Sequence, residues 1–425
     1  LKERVETFST AVLESEIDAI GFFGISAAND VLLADAASLS RQGVETDVVR
    51  PQISGDDVRD WVAGSELNAI VPYDTDQLIP IESRAGLHRW MWPSRTSLWA
   101  RATFTKKTYR DDGRPWWEWH QIALDRVKSP LTITFAELAT HNSFAIDRGG
   151  RRVFNHSAPV LKLRCSATEE SYLGLLGLLN SSVACFWYKQ VCFNKGNGGI
   201  GGGISNEKWE LRFVHNASQV AQLPIVEIRP SDIAKVIDAL SQQLSAIQPS
   251  ALMHMANGDL QPLPTRADLD AARHLADQLS RRMIAYQEEL DWRCYRLYGL
   301  LPHGVGIDEV EYDELIEVKL GERAFEIVLA RRMAAGQEQT TWFERHGSAP
   351  ITEIPTHWPD SYRRIVQRRI ELIESDKSLG LIERSEFKRR WNSTKWENLE
   401  HTALRVWLMA KLELPRLWPA SVDQP

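Results

Sequence analysis

From Tyr172 to Gln190 the chain is apolar nearly all round, and within a few residues it turns into the run KGNGGIGGGIS, Lys195–Ser205. An element apolar on every side has to be buried, so this stretch predicts one interior helix around which other elements pack. The run after it is the opposite kind of backbone. Six glycines fall in the eight residues from Gly196 to Gly203, and ordering so free a segment costs much conformational entropy. That composition predicts a loop ordered by a ligand. Backbone N–H groups at Gly198, Gly199 and Gly201, with Lys189, Asn194 and Lys195, would together hold a phosphate. A plain flexible turn is the alternative. Gly196, Gly198 and Gly201 also spell G-x-G-x-x-G, but a helix precedes them instead of a strand, and the dinucleotide reading is set aside.

The other catalytic signatures are absent. The sequence has no G-x-S-x-G elbow, no H-E-x-x-H, no Walker motif and no kinase set, and it contains no Pro-Pro dipeptide. His120, His141, His156 and His215 lie scattered among strand-like segments and read as structural residues. No catalytic residue and no metal ligand is assigned. Cys165, Cys185, Cys192 and Cys294 form no C-x-x-C pair, which argues against zinc or a disulfide framework and fits a reducing cytoplasm. No apolar run is long enough for a membrane span.

The expected fold class is α+β. Residues 1–45 read as an edge or connector. Residues 46–229 read as a mixed α/β module, with a strand opening at Val48 and others at Ala69–Tyr73, Arg101–Arg110, Trp116–His120, Leu131–Phe135, Asn142–Ile146 and Pro159–Leu163. Asp147-Arg148-Gly149-Gly150 signals a hairpin turn. Residues 230–305 read as a helical hairpin spacer, from helices Ser231–Ile247, with Ser231 as N-cap, and Arg266–Tyr298. Residues 306–425 read as a mainly helical C-terminal domain.

A net charge of −7 announces no nucleic-acid ligand for the whole chain, so any such contact has to come from local patches. Arg101, Lys106, Lys107, Arg110 and Arg114 cluster around one expected hairpin, interleaved with Phe104, Tyr109, Trp116, Trp117 and Trp119; a solvated strand face over a tryptophan core is the alternative. Cations pair with phosphates while aromatic faces stack on bases. Arg148, Arg151, Arg152, Asn155 and His156 sit around the second turn, where a two-stranded ribbon can enter the major groove, with a charged turn tip as the alternative. Arg363, Arg364, Arg368, Arg369 and Lys388-Arg389-Arg390 read as a solvated helical face, with nucleic-acid contact as the alternative.

Long stretches carry a family resemblance. CFWYKQVCFNKGNGGIGGGISNEKWELRF from Cys185, YQEELDWRCYRLYGL from Tyr286, and the segment from Leu320 through RRIVQRRIELIESD resemble the adenine-specific DNA methyltransferases of phage growth limitation, also called BREX type 2, the PglX family. So do Lys388-Arg389-Arg390-Trp391-Asn392 and Trp396–Trp407, while VVRPQISGDDVRDW from Val48 is similar to the start of target-recognition modules. The resemblance implies a parent that uses S-adenosylmethionine and flips adenine, with double-stranded DNA as the partner and other BREX proteins as further ones. Neither the parent's cofactor-binding glycine motif nor its Asn-Pro-Pro-Tyr/Phe motif occurs here, so no cofactor is assigned to this chain. It looks like the recognition half, which makes 1–45 the connector from a missing methyltransferase domain and 46–229 the target-recognition domain. The alternatives are the recognition half of a fused restriction–modification enzyme and a protein-interaction scaffold for other defence components.

Overall fold

The computed structural model describes residues 1–65, 67–74, 77–123, 129–196, 207–253, 255–256, 259–260, 263–302, 316–414 and 417. Its centre is a four-stranded antiparallel sheet in the order Phe144–Arg148, Leu131–Phe135, Val160–Leu163, Ile17–Gly21. Ile133 pairs with both Ile146 and Leu161, and Leu161 with Ile20. Successive side chains on a strand point to opposite faces. Phe135, Phe144, Ile146 and Leu161 therefore enter one core, whereas Ala145 and Val160 enter another. A sheet covered on both faces needs apolar residues at nearly every position, and these strands have them.

The second core lies under a sheet in the order Val153–Phe154, Val49–Ile53, Asn68–Ile70, Leu33–Ala34, whose first pair is parallel. Ser54 and Asp57 close a capping box on the short helical turn that follows Ile53. The Gly149-Gly150 turn does form, with both glycines at positive φ. The strand after it nevertheless leaves its predecessor: Val153–Phe154 pairs with Val49–Ile53, while Phe144–Arg148 stays on Leu131–Phe135. No ribbon stands at Arg148–Asn155, because the chain crosses from one sheet to the other there.

Two expected strands are absent. Arg101–Arg110 and Trp116–His120 form a compact looped segment with one isolated bridge, Ala102 to Thr108. Local side-chain bonds override the alternating pattern. Asp112 accepts from Thr103 and Thr105. Arg101 donates to the carbonyls of Ser26, Trp116 and Glu118. Arg101 and Arg114 lie over the Tyr109 ring at 4.1 and 4.3 Å.

The interior apolar stretch is two helices, Glu169–Leu179 and Ser182–Val191. Ser181 caps the second by accepting from Ala184 N–H. The side chain of Asn180 exchanges two 3.0 Å hydrogen bonds with the backbone of Phe144, which ties the break to the central sheet. Both helices sit in the large core, which runs on through Arg266–Leu297 and Asp360–Ser375 to Trp391. Thr265 and Asp268 make the capping box that starts the long helix. Helix Ser231–Ala246 packs beside it, but Pro230 is at its N-cap, and Ser231 Oγ reaches Glu170 instead. The fold is thus mixed α+β with a helical C-terminal region.

Candidate nucleic-acid interface

Between Arg84 and His120 stand eight Lys/Arg residues against three Asp/Glu, together with six of the sixteen tryptophans. A chain of net charge −7 thus reverses sign locally. Helix Ala85–Met91, a 3-10 turn Trp92–Ser94 and helix Arg95–Trp99 set out its first half, and the looped segment supplies the second. The Arg95 guanidinium lies 3.9 Å from the Trp92 ring and 4.8 Å from that of Trp99, and Arg110 lies 5.6 Å from Trp99. Trp92 meets His88 and Trp116 edge-on. Phe104, 74% exposed, is 4.5 Å from the His120 ring. Burial, with Arg114 and Arg101 close by, holds His120 below its usual range, so its ring is neutral at pH 7. Trp116 and Trp119 are buried and belong to the second core, which makes this face a rigid platform.

Among the described residues, Arg89, Arg95, Lys106 and Arg110 have no acidic partner, and Arg89, Lys106 and Arg110 are exposed. Lys106 stands at φ +63, in the left-handed region. Lys107 is exposed but 3.9 Å from Asp112. Arg114 turns inward, donating to the Glu118 carboxylate and the His120 carbonyl. Arg89, Arg95, Trp92 and Trp99 were not singled out from the sequence. The signal was there, because Arg and Trp recur at three- and four-residue spacing through Arg89–Trp99, on one face of a helical segment.

The other expected residues are not gathered there. Arg148 forms 2.7 Å pairs with Glu169 and Asp238, and Arg152 a 3.1 Å pair with Asp147. Asn155 Oδ1 accepts from Ser157 within its own turn. Arg151 is exposed. Lys189 donates to the Glu386 carbonyl and faces the rings of Phe213 and Phe387. Burial lowers its pKa. Asn194 and Lys195 are exposed on the edge strand Phe193–Gly196, in a third sheet with Arg212–Val214 and Leu138–Ala139. Gly198, Gly199 and Gly201 lie outside the described residues.

The expected solvated face holds for Arg364 and Arg368, which are exposed, but is corrected for Arg369 and for Lys388-Arg389-Arg390, which turn inward. Lys388 Nζ is fully buried, 2.9 Å from both Asp291 and Glu383 and 3.3 Å from Glu288. Arg389 reaches the Asn180 carboxamide, and Arg390 donates to His346 Nε2 at 3.0 Å. Arg369 makes two 2.7 Å bonds to Glu289. Arg363 and Arg368 pair with Asp360 and Glu371 on their own helix. Arg364 alone of this set is exposed with no such partner among the described residues. A charged side chain enters an interior only with its counter-charges, and here Glu288, Glu289 and Asp291 come from the long helix and Glu383 from the segment just before Lys388.

Comparison with known proteins sets this chain beside a methyltransferase. The relative is the adenine-specific methyltransferase PglX of Streptomyces coelicolor, 42% identical over 428 residues, an alignment that covers all of this chain and 35% of that protein, in its C-terminal part. The chain therefore spans about a third of the length of the curated relative it matches. The resemblance drawn from the Cys185, Tyr286 and Leu320 stretches agrees with this. A family model described as a domain of unknown function, DUF7008, matches residues 283–425. Among solved structures, the type IIL restriction–modification enzyme MmeI in complex with DNA aligns with 70% of this chain and 35% of its own, at a TM-score of 0.42 and 11% identity. Among the described residues no helix is long and apolar enough to cross a membrane.

Proposed function

We propose that this chain is the duplex-recognition part of an adenine-specific DNA methyltransferase that serves phage defence. The observation that carries the reading is that Arg89, Arg95, Lys106 and Arg110 lie between Arg84 and His120 without an acidic partner among the described residues, in a chain of net charge −7. A polyanion is the ligand such a face selects. Arg89, Arg95, Lys106 and Arg110 contact phosphates and set the register, while Arg151, Asn194 and Lys195 are the exposed side chains left to reach base edges. Similarity to a methyltransferase supports this choice among polyanions. Adenine flipping and methyl transfer belong to the remainder of such an enzyme.

S-adenosylmethionine supplies the methyl group in that chemistry, and the described residues do not form its cradle. The only parallel strand pair among them is two residues long, Val153–Phe154 on Val49–Ile53. The glycine run follows an edge strand of an antiparallel sheet, not a central parallel strand opening into a helix. No transfer step is therefore assigned to these residues.

The test is duplex affinity as a function of salt. Each phosphate contact contributes about 0.9 to the slope of log K against log salt, so four contacts give a slope of about −3.6. Affinity that does not respond to salt would contradict the reading. Lys106→Gly separates binding from folding. The left-handed φ of Lys106 is unfavourable for a side chain and free for glycine. This variant is expected to melt at or above the parent temperature, by up to about 1 kcal/mol in stability. Its salt slope should shrink by about 0.9 for all sequences alike. A second reading, as recognition part of a fused restriction–modification enzyme, shares this surface and predicts the same slope.

A further inference from the structure

The charged groups of the 84–120 face account for phosphates, but they leave its rings unexplained. Phe104 is 74% exposed and Trp92 48% exposed. A phenyl ring makes no hydrogen bond to a phosphate, and holding it in water on a well-ordered platform has no structural return. They sit in two series of stacked groups. Trp92, Arg95, Trp99 and Arg110 follow one another at 3.9, 4.8 and 5.6 Å, and Phe104 stacks obliquely on His120, whose Nδ1 is 3.0 Å from the Tyr109 hydroxyl. The flat faces of Arg95 are taken by indoles, so its N–H edges are directed away from the rings. Such an array alternates ring faces with cations, as nucleobases and phosphates alternate along a strand.

In a paired duplex every base face is covered by its neighbours, and a protein is offered only edges. Ring faces become partners when bases are unstacked. A neutral or basic protein partner is disfavoured by charge, since Arg89, Arg95, Lys106 and Arg110, without acidic partners among the described residues, favour a polyanion. We propose that the surface of Trp92, Arg95, Trp99, Phe104 and Arg110 holds unstacked nucleobases, so that DNA with a locally unpaired strand is preferred to a fully paired duplex. This rests on the DNA reading above and specifies the form of DNA that the face takes. Trp92 and Phe104 supply stacking faces. Arg95 and Arg110 hold the phosphates on either side.

The experiment measures binding of the 425-residue chain, by fluorescence anisotropy at fixed low salt, to three short probes of one mixed sequence: single strand, paired duplex, and the duplex with a small bulge. The bulged and single-stranded probes are expected to bind about tenfold or more tightly than the paired one. Phe104→Ala and Trp92→Ala should weaken those two probes by roughly 5- to 150-fold, the span of one lost base stack. Binding of the paired duplex should stay within about twofold. 2-Aminopurine placed in the bulge should be quenched on binding to the parent and much less so on binding to either variant. Melting curves check that both variants fold, which their exposure favours. Equal affinity for paired and bulged probes would overturn the proposal, as would variants that weaken all three alike. In either case, salt-dependent binding to the paired duplex leaves the broader DNA reading standing. Failure of every probe to bind would remove both.

Discussion

Replacing Lys388 by methionine is expected to destabilise the chain by about 3–5 kcal/mol. The ammonium is fully buried and pairs with Asp291, Glu383 and Glu288. Methionine retains most of the stem and removes the charge, leaving three carboxylates without their cation. The acids have other obligations: Asp291 accepts from the backbone and hydroxyl of Ser182 at 2.7 and 2.6 Å, and Glu383 accepts from the Tyr295 hydroxyl. Movement apart would break the junction between the two interior helices. Burial acts to discharge Lys388, but Asp291, Glu288 and Glu383 raise its pKa overall, so it stays charged. Lys388→Arg is not expected to rescue, since a planar fork cannot replace a point donor shared among three acids. Urea midpoints read the effect. A loss within about 1 kcal/mol for Lys388→Met would mean that the cluster is neutral without its lysine.

The same cluster fixes a pH dependence. Burial, with Glu383 and Asp291 nearby, pushes Glu288 up to about 7, against the pull of Lys388 and Arg323. Lys388, at 3.3 Å and nearer to Asp291 and Glu383, only partly offsets the burial of Glu288. Tyr362 and Arg369 face the same acid from the helix Asp360–Ser375. In the unfolded chain a glutamate titrates near 4.5. Between those values the folded state binds a proton that the unfolded state has released. The contribution is complete below the unfolded pKa and is lost as pH rises through about 7. Stability should therefore fall over that window, and Glu288→Gln should flatten the fall. An unchanged profile in Glu288→Gln would assign the effect to another group.

What the sequence made legible is what local pattern controls. Leu131–Phe135 and Val160–Leu163 are strands because apolar and β-branched residues continue on both faces. Arg266–Leu297 is a helix because its apolar residues recur at three and four and Thr265-Asp268 cap it. The misread charges share one cause. Lys388 lies 97 residues from Asp291, and Arg369 lies 80 from Glu289, and no local window shows that a charge has a distant counter-charge. A basic run with buried partners looks the same as a solvated one. At Arg101–Arg110 alternation suggested a strand, yet Asp112 and two arginines bind the segment to itself. The candidate interface was half legible: Lys106, Lys107 and Arg110 stand out as a cationic, aromatic cluster, whereas Arg95 gains its meaning only from the indoles on either side of it.

Trp61→Ala is expected to cost about 3–5 kcal/mol, comparable to the Lys388 variant, by a different route. The indole is fully buried at the tip of the hairpin formed by Val58–Arg59 and Val62–Ala63. Its Nε1 donates to Gln287 Oε1 at 3.0 Å, and the Arg389 guanidinium lies 5.7 Å from its ring. Next to it, Asp60 accepts from the Asn392 N–H at 3.0 Å. One turn thus joins the second-sheet half of the chain to the long helix and to the Lys388–Asn392 segment. That geometry is reached at φ +47 for Asp60 and φ +70 for Trp61, conformations that cost roughly 1–2 kcal/mol per residue. Packing outweighs this strain. Trp61→Gly should then recover no more than about 1 kcal/mol relative to alanine, since it relieves the backbone but leaves the same cavity. Trp61→Phe, which fills most of the site and loses the bond to Gln287, should cost roughly 1–3 kcal/mol. Calorimetric melting of the three variants sets the order Ala and Gly below Phe, and Phe below the parent. A glycine variant as stable as the parent would instead make the strained turn, and not the indole, the controlling feature of this joint.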